Sequence, residues 1–477
     1  MSNGMASNYI PELEDGMDIV GELVRHIVKT RYEDIPTDVV DFTKKALIDT
    51  IGVLLAGTAL IEGQMITDLV KEWGGKKDSS VINYDFKVPV HHAALANGTM
   101  ARVVDMDDVL ERAALHVHAS IVPSALSVAE KIGGLNGKDL LTAIILGTDL
   151  LCRLGLSNKI PTAISGMNSS YQYGTFGVAA ASGKLLGLDE DKLWNAMGIA
   201  YSLTSGNSQC LTEGAMTTRL GQGACAHAGV LSTFLAHKGF TGVRNVLQGK
   251  FGYFNCYQRG EYYPEALTGA LGKRFEGSDV TFKQYSCCLH THAAIEGTLN
   301  LIERNNIKPK DIKEIHVGVN QQAYNLVVEP IDIKFDPHEV AAAQFSLPFT
   351  QGTAVLKKKA FIDDFTEKEI RNPQVLEIAK KVRASVDPEI ERTSSGRVTP
   401  AKVRISTYSG QEFSEKVEFI KGHPNNPISF DELVNKFRMC NAFAKNPLSD
   451  GRVVEFIETV LKLENVKEVN QLIRVLG

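Results

Sequence analysis

The sequence predicts a mainly α-helical fold that carries a smaller α/β region, and three observations support this. Apolar residues recur at three-and-four spacing through almost all of the first 240 or so residues, which marks helices with one buried face. After about Gly269 the character shifts: KEIHVGV, KVRISTY and EFSEKVEF are alternating or β-branched, as strands are. From FDELVNKFRMC onward the helical spacing returns. At 477 residues the chain is too long for one ordinary core, so two domains are expected.

The elements follow in order. MSNGMASNYIPELEDG is polar and acidic, reading as a poorly ordered tail and not as a signal peptide. DIVGELVRHIVKT is an amphipathic helix ended by Ile35-Pro36, and Thr37 or Asp38 can cap the next, which stops at Gly57. IEGQMITDLVKEWGG repeats the helical pattern, SSVINYDFKVPV suggests a short hairpin, and HHAALANGTMARVVDMDD is a small-residue helix. GKDLLTAIILGTDLLCRLG is apolar enough to be buried on all sides. SGMNSSYQYGTFG reads as a polar, glycine-bearing loop, with helices at VAAASGKLLGL, DEDKLWNAMGIAYSLTSG and GACAHAGVLSTFLAHKGF. In the α/β region, AAIEGTLNLIERNN and EIRNPQVLEIAKKVRA are helical, the strands are expected to be antiparallel, and GHPNNPIS is a linker.

Composition removes several function classes. The net charge of −5 provides no basic footprint for nucleic acid. An anionic ligand would need a local cationic pocket. Seven cysteines at irregular spacing, with no CxxC pair, suggest neither a zinc site nor a disulfide framework, so a reduced, cytoplasmic setting is expected. No apolar run reaches about 18 residues, so no membrane span is expected.

The densest chemistry lies in Ala101 to Glu130, ARVVDMDDVLERAALHVHASIVPSALSVAE, which holds Asp105, Asp107, Asp108, His116 and His118. On a helix Asp105 and Asp108 would share a face. That spacing admits a metal pair, an acid/base or orienting role, or a solvated helix terminus. His116 and His118, two apart, face the same side in an extended segment and diverge in a helix. A catalytic histidine needs a partner to fix its tautomer, and a nearby aspartate could serve. A second cluster, KQYSCCLHTH, places Lys283, Cys287, Cys288, His290 and His292 within ten residues. Nothing there marks a cysteine as activated, and adjacent cysteines chelate one ion awkwardly. A cleft wall offering Lys and His to an anion fits better, beside the reading of a merely polar junction. SSYQYGTFG could bind a carboxylate through backbone amides, and Arg219 in TTRLGQG could hold one in a bidentate fork or form a surface ion pair.

With these stretches in view, the chain resembles the MmgE/PrpD family of dehydratases, decarboxylases and epimerases. The matching stretches are IPTDVVDFTKKALIDTIGVLLAG, VVDMDD followed by HASIVPSAL, YGTFGVAAASGKLLGL, RLGQGACAHAGVLSTFLAHKGFTG, FKQYSCCLHTHAAIE and QFSLPF. The resemblance implies a large helical domain from both chain ends, residues 1–268 and 427–477, and an α/β lid, residues 269–426. It also implies a homodimer, no metal or organic cofactor, and a small-molecule carboxylate bound between the domains. Carried onto this sequence, it marks Asp105, His118, Lys283 and the lid tyrosine Tyr324 as site residues. Four positions depart from the family pattern: Val109 stands where decarboxylases have threonine, Tyr171 where a histidine is usual, Thr218 where a lysine is usual, with Arg219 beside it, and Cys288 where animal decarboxylases have histidine. Fewer cationic groups favour a smaller or less charged carboxylate than a tricarboxylate.

The expected activity is therefore a cofactor-independent lyase, of the dehydratase or decarboxylase type, that abstracts a proton α to a carboxylate of a small di- or tricarboxylate-like substrate. In this reading His118 is base or acid, Asp105 orients it or a substrate group, and Lys283 and Arg219 bind carboxylate and offset developing charge. Tyr171 substitutes for the missing histidine, and Thr218, His292, Cys288 and Tyr324 line the pocket. The alternatives are an epimerase of an iminodisuccinate-like dicarboxylate and a non-catalytic binding protein.

Overall fold

The structure, a computed structural model, describes residues 18–160, 162–394 and 400–477. The tail expected over residues 1–16 lies outside them. The fold is mainly α with a smaller α/β region.

The helical region begins at Asp18, whose carboxylate accepts the amide of Gly21 to cap the helix Ile19–Lys29. The next helix, Thr37–Gly57, takes Pro36 as its N-cap in place of a capping side chain, and the long helix Gly137–Leu156 is capped reciprocally by Asn136 and Asp139. Nearly all of Gly137–Leu156 is buried, as its composition demanded. The helices Val90–Val103 and Thr217–His237 pack closely at paired glycines. A Cβ on Gly223 would sit 2.1 Å from Thr99 Oγ1 and 2.3 Å from the Leu95 carbonyl, so only glycine permits this approach. One helix carries Arg102 in its last turn and the other Arg219 in its first.

The sheet departs from the expected antiparallel arrangement. Its four strands run in the order Val382–Val386, Ile312–Val319, Ala401–Thr407, Glu412–Val417, and the first pair is parallel. The helix expected through EIRNPQVLEIAKKVRA stops at Ala379, and VRASV becomes an edge strand. Val382 is fully buried beside the central strand, so burial of a β-branched residue outweighs continuation of the helix. The helix Leu289–Asn305 packs on the sheet, with Gly297 against Val403 and Val417.

Two large apolar cores result. The larger draws only on residues 19–282 and 428–476 and so joins both chain ends. The other draws on residues 288–420 together with Val109. Val109 follows the three aspartates directly, so the acidic segment lies where the two cores meet. Among the described residues no single helix is long and apolar enough to cross a membrane.

Candidate active site

The site begins where the helix Val90–Val103 ends. Asp105 follows that terminus with φ +57°, a left-handed conformation normally filled by glycine. Holding aspartate there costs about 1–2 kcal/mol, which its carboxylate contacts must offset. The three acids therefore lie in a turn beyond the helix, and the helix-face pairing of Asp105 with Asp108 does not occur. Two short antiparallel strands, Val109–Leu110 and Leu115–His116, then fold the segment back on itself. His116 closes this hairpin and His118 opens the helix His118–Ile132.

Each acid has a separate role. Asp105 is fully buried, and its Oδ1 accepts from Arg102 Nη1 at 2.6 Å and Lys283 Nζ at 2.7 Å. Lys283 Nζ also donates to the Asp105 carbonyl at 2.9 Å, and Arg219 Nη1 lies 3.5 Å from Asp105 Oδ2. Burial alone would raise the Asp105 carboxyl, but Arg102, Lys283 and Arg219 hold it well below the usual carboxylate range. Asp107 accepts from Arg102 at 3.2 Å and faces His116 Nδ1 at 2.9 Å. Asp108 takes the His118 amide at 3.1 Å and contacts the Nδ1 of the same ring. His118 is thus paired with Asp108, which leaves Asp105 the other expected role, toward a substrate group. The backbone turn at Asp107–Asp108 delivers successive carboxylates to two different histidines.

A cavity of about 720 Å³ opens over this cluster. Arg102, Asp105, His116, Tyr171, Lys283 and Cys288 all contribute to its lining. His116 keeps 19% of its side chain accessible, against 1% for His118. Burial, and then the charge of Arg102, lowers His116 below the ordinary histidine value despite Asp107. It is accordingly uncharged at neutral pH.

The other expected residues separate into two groups. Tyr171 lines the cavity, but its hydroxyl donates to the Thr218 carbonyl at 2.8 Å, so its proton is already committed. It lies within the helix Ser169–Leu185, which absorbs the stretch read as a binding loop, and the amides of Tyr171 and Gln172 are taken by the Asn168 carbonyl. Cys288 lines the cavity, with burial pushing its thiol up to about 11. Arg219 is buried, and its Nη2 is taken by Gln344 Oε1. It therefore supports Asp105 from behind. Thr218, His118, His292 and Tyr324 are likewise not among the lining residues, although Gln322 and Asn325, beside Tyr324, are. Arg102 and His116 are what sequence reasoning missed or set aside. An arginine three residues before an acid at a helix end was a visible pairing signal. Among the described residues no group of three or more His, Cys, Asp or Glu is arranged to hold a metal ion.

A helical core built from both chain ends, a mixed sheet, and an enclosed charge cluster where they meet define the architecture. The chain belongs to the MmgE/PrpD family: the family's N-terminal domain matches residues 21–265 and its C-terminal domain residues 285–462. Among its relatives are a cis-aconitate decarboxylase-like protein of Aspergillus oryzae, 25% identical over 96% of this chain and 97% of the relative. The cis-aconitate decarboxylase of Aspergillus terreus is 24% identical over 93% of each chain. That of Mus musculus is 28% identical over 91% of this chain and 88% of its own.

His292 has a measurable stability signature. It is fully buried beside Tyr285, its Nε2 is 3.2 Å from the Cys287 carbonyl, and burial lowers it from 6.5 to about 3. The unfolded chain therefore takes up this proton first as pH falls. The histidine's contribution is complete above pH 6.5 and is lost between 6.5 and about 3, at up to about 1.4 kcal/mol per pH unit. Denaturation of His292→Gln over this range should show a shallower acid limb than wild type. An unchanged slope would contradict the assignment.

Proposed function

We propose that the chain is a lyase acting on a small carboxylate, with His116 as the base that removes the proton α to the carboxylate. The observation that carries this reading is an uncharged imidazole, braced by Asp107, lining the same cavity as Arg102 and Lys283. A proton transfer needs a base with an accessible nitrogen and donors placed where negative charge develops. With Nδ1 facing Asp107 at 2.9 Å, Nε2 is the nitrogen left to accept the proton. Arg102 and Lys283 would stabilise the enolate-like charge on the carboxylate. In a dehydration, His116 takes the α proton, the C–H electron pair becomes the new C=C bond, and the β-hydroxyl departs as water with the proton that His116 returns to it. In a decarboxylation no α proton is removed: CO2 leaves with the C–C electron pair remaining on carbon, and that carbon takes up one proton from solvent, relayed through His116. Family membership and relatives that are decarboxylases support lyase chemistry of one of these kinds.

The test is turnover of mono-, di- and tricarboxylates in D2O, followed by NMR and ultraviolet absorbance. A lyase gives net loss of water or CO2, with a new alkene for dehydration. Deuterium at a stereocentre without net loss would replace this reading with epimerisation. Ligand binding with no exchange on any member of the panel would replace it with a binding role.

A further inference from the structure

The charge pattern of the cavity narrows the ligand class, given the carboxylate reading above. Arg102 and Lys283 are the only Arg or Lys side chains among the described residues that line it, and Asp105 is the only acid. Two cations against one carboxylate leave one net positive charge at the lining. The groups immediately behind keep that balance, because Arg219 adds a positive charge and Asp107 a negative one. Deeper still, Lys436 pairs with Asp49, and Asp108 contacts the His118 ring. Lys334 lies nearby, but its Nζ donates to the Phe345 carbonyl at 2.8 Å, and it is not among the lining residues.

The rest of the polar lining is of another kind. Asn168, Asn207, Gln209, Gln322 and Asn325 present carboxamides, and no Lys or Arg stands among them. Carboxamides satisfy hydroxyls, amides and carbonyls well, but they do not compensate a buried carboxylate. A second or third carboxylate on the ligand would meet no Lys or Arg there, only His290 and the start of the helix Ser169–Leu185.

We propose that the cavity takes a monocarboxylate whose remaining polar groups are uncharged, a hydroxy- or amido-acid, with its one carboxylate at Arg102 and Lys283. The carboxamide wall then reads the neutral end. This ligand class differs from the tricarboxylate named for the relatives.

Calorimetric titration of the wild-type protein with succinamate, succinate and citrate tests this directly. Succinamate and succinate differ only by a carboxamide in place of one carboxylate. Succinamate is expected to bind at least tenfold more tightly than either of the others. Introducing a cation into the wall with Asn325→Lys, at an exposed position, should narrow the difference between succinamate and succinate. Affinities within tenfold of one another, or tighter binding of succinate or citrate, overturn the monocarboxylate assignment and leave the carboxylate reading standing. If none of the three binds to folded protein, the carboxylate reading itself falls.

Discussion

Replacing Asp105 by Asn should destabilise the protein by about 3–5 kcal/mol, the range for removing one partner of a buried ion pair, and should abolish turnover. The amide keeps the shape of the side chain, so packing cannot explain the loss. What changes is charge. Among the described residues Asp105 is the only carboxylate within ion-pair distance of Lys283, and it also faces Arg102 and Arg219. Arg102 retains Asp107 after the substitution, whereas Lys283 is left as a buried, unpaired ammonium. Chemical denaturation of Asp105→Asn provides the number. A second variant keeps the result decidable if the first does not fold: Asp105→Asn with Lys283→Met removes the orphaned cation and should recover much of the loss. Coupling of this kind is what contacting residues show in a double-mutant cycle. A loss below about 1 kcal/mol in the single variant, or simple additivity in the pair, would mean that the cluster is not held together by charge.

Much of this arrangement was legible in the sequence, and the parts that were not share a physical cause. Three-and-four spacing located helices with one buried face, such as Ile19–Lys29, and apolar composition located Gly137–Leu156, which is buried nearly all round. The strands Ile312–Val319, Ala401–Thr407 and Glu412–Val417 were legible from their β-branched alternation. Val382–Val386 was not, because it is an edge strand with only Val382 buried and no alternation to betray it. The cluster of Asp105 and Lys283 was foreseen as two site residues on separate stretches of chain. Their direct contact was not, since 178 residues separate them in sequence. The left-handed turn at Asp105 is the deepest reason for the remaining errors. It ends the helix before the acids and so sends Asp107 to His116 and Asp108 to His118. Helical spacing could not reveal a pairing set by one backbone angle. Tyr171 and Arg219 were located as site neighbours, but a hydroxyl committed to Thr218 and a guanidinium held by Gln344 are tertiary facts.

The two histidines make opposite kinetic forecasts, which decides between the base read from sequence and the base read from geometry. With His116 as base, His116→Gln should lower kcat by about 10²–10⁴-fold, the usual worth of a positioned general base, with KM nearly unchanged. Deuterium exchange at the substrate α-carbon should vanish with it. The acid limb of kcat/KM should fall below the ordinary histidine value of 6.5, because burial and Arg102 lower this ring. Asp107→Asn removes the group that both braces the ring and raises its basicity. It should therefore slow exchange and move the limb lower still. His118 is 1% accessible and bound to Asp108 through both its amide and its ring. Its replacement by Gln should act mainly on stability, with a smaller loss of rate. If His118→Gln instead abolishes exchange while His116→Gln retains it, the roles are reversed. The cavity would then have to open to His118 during turnover.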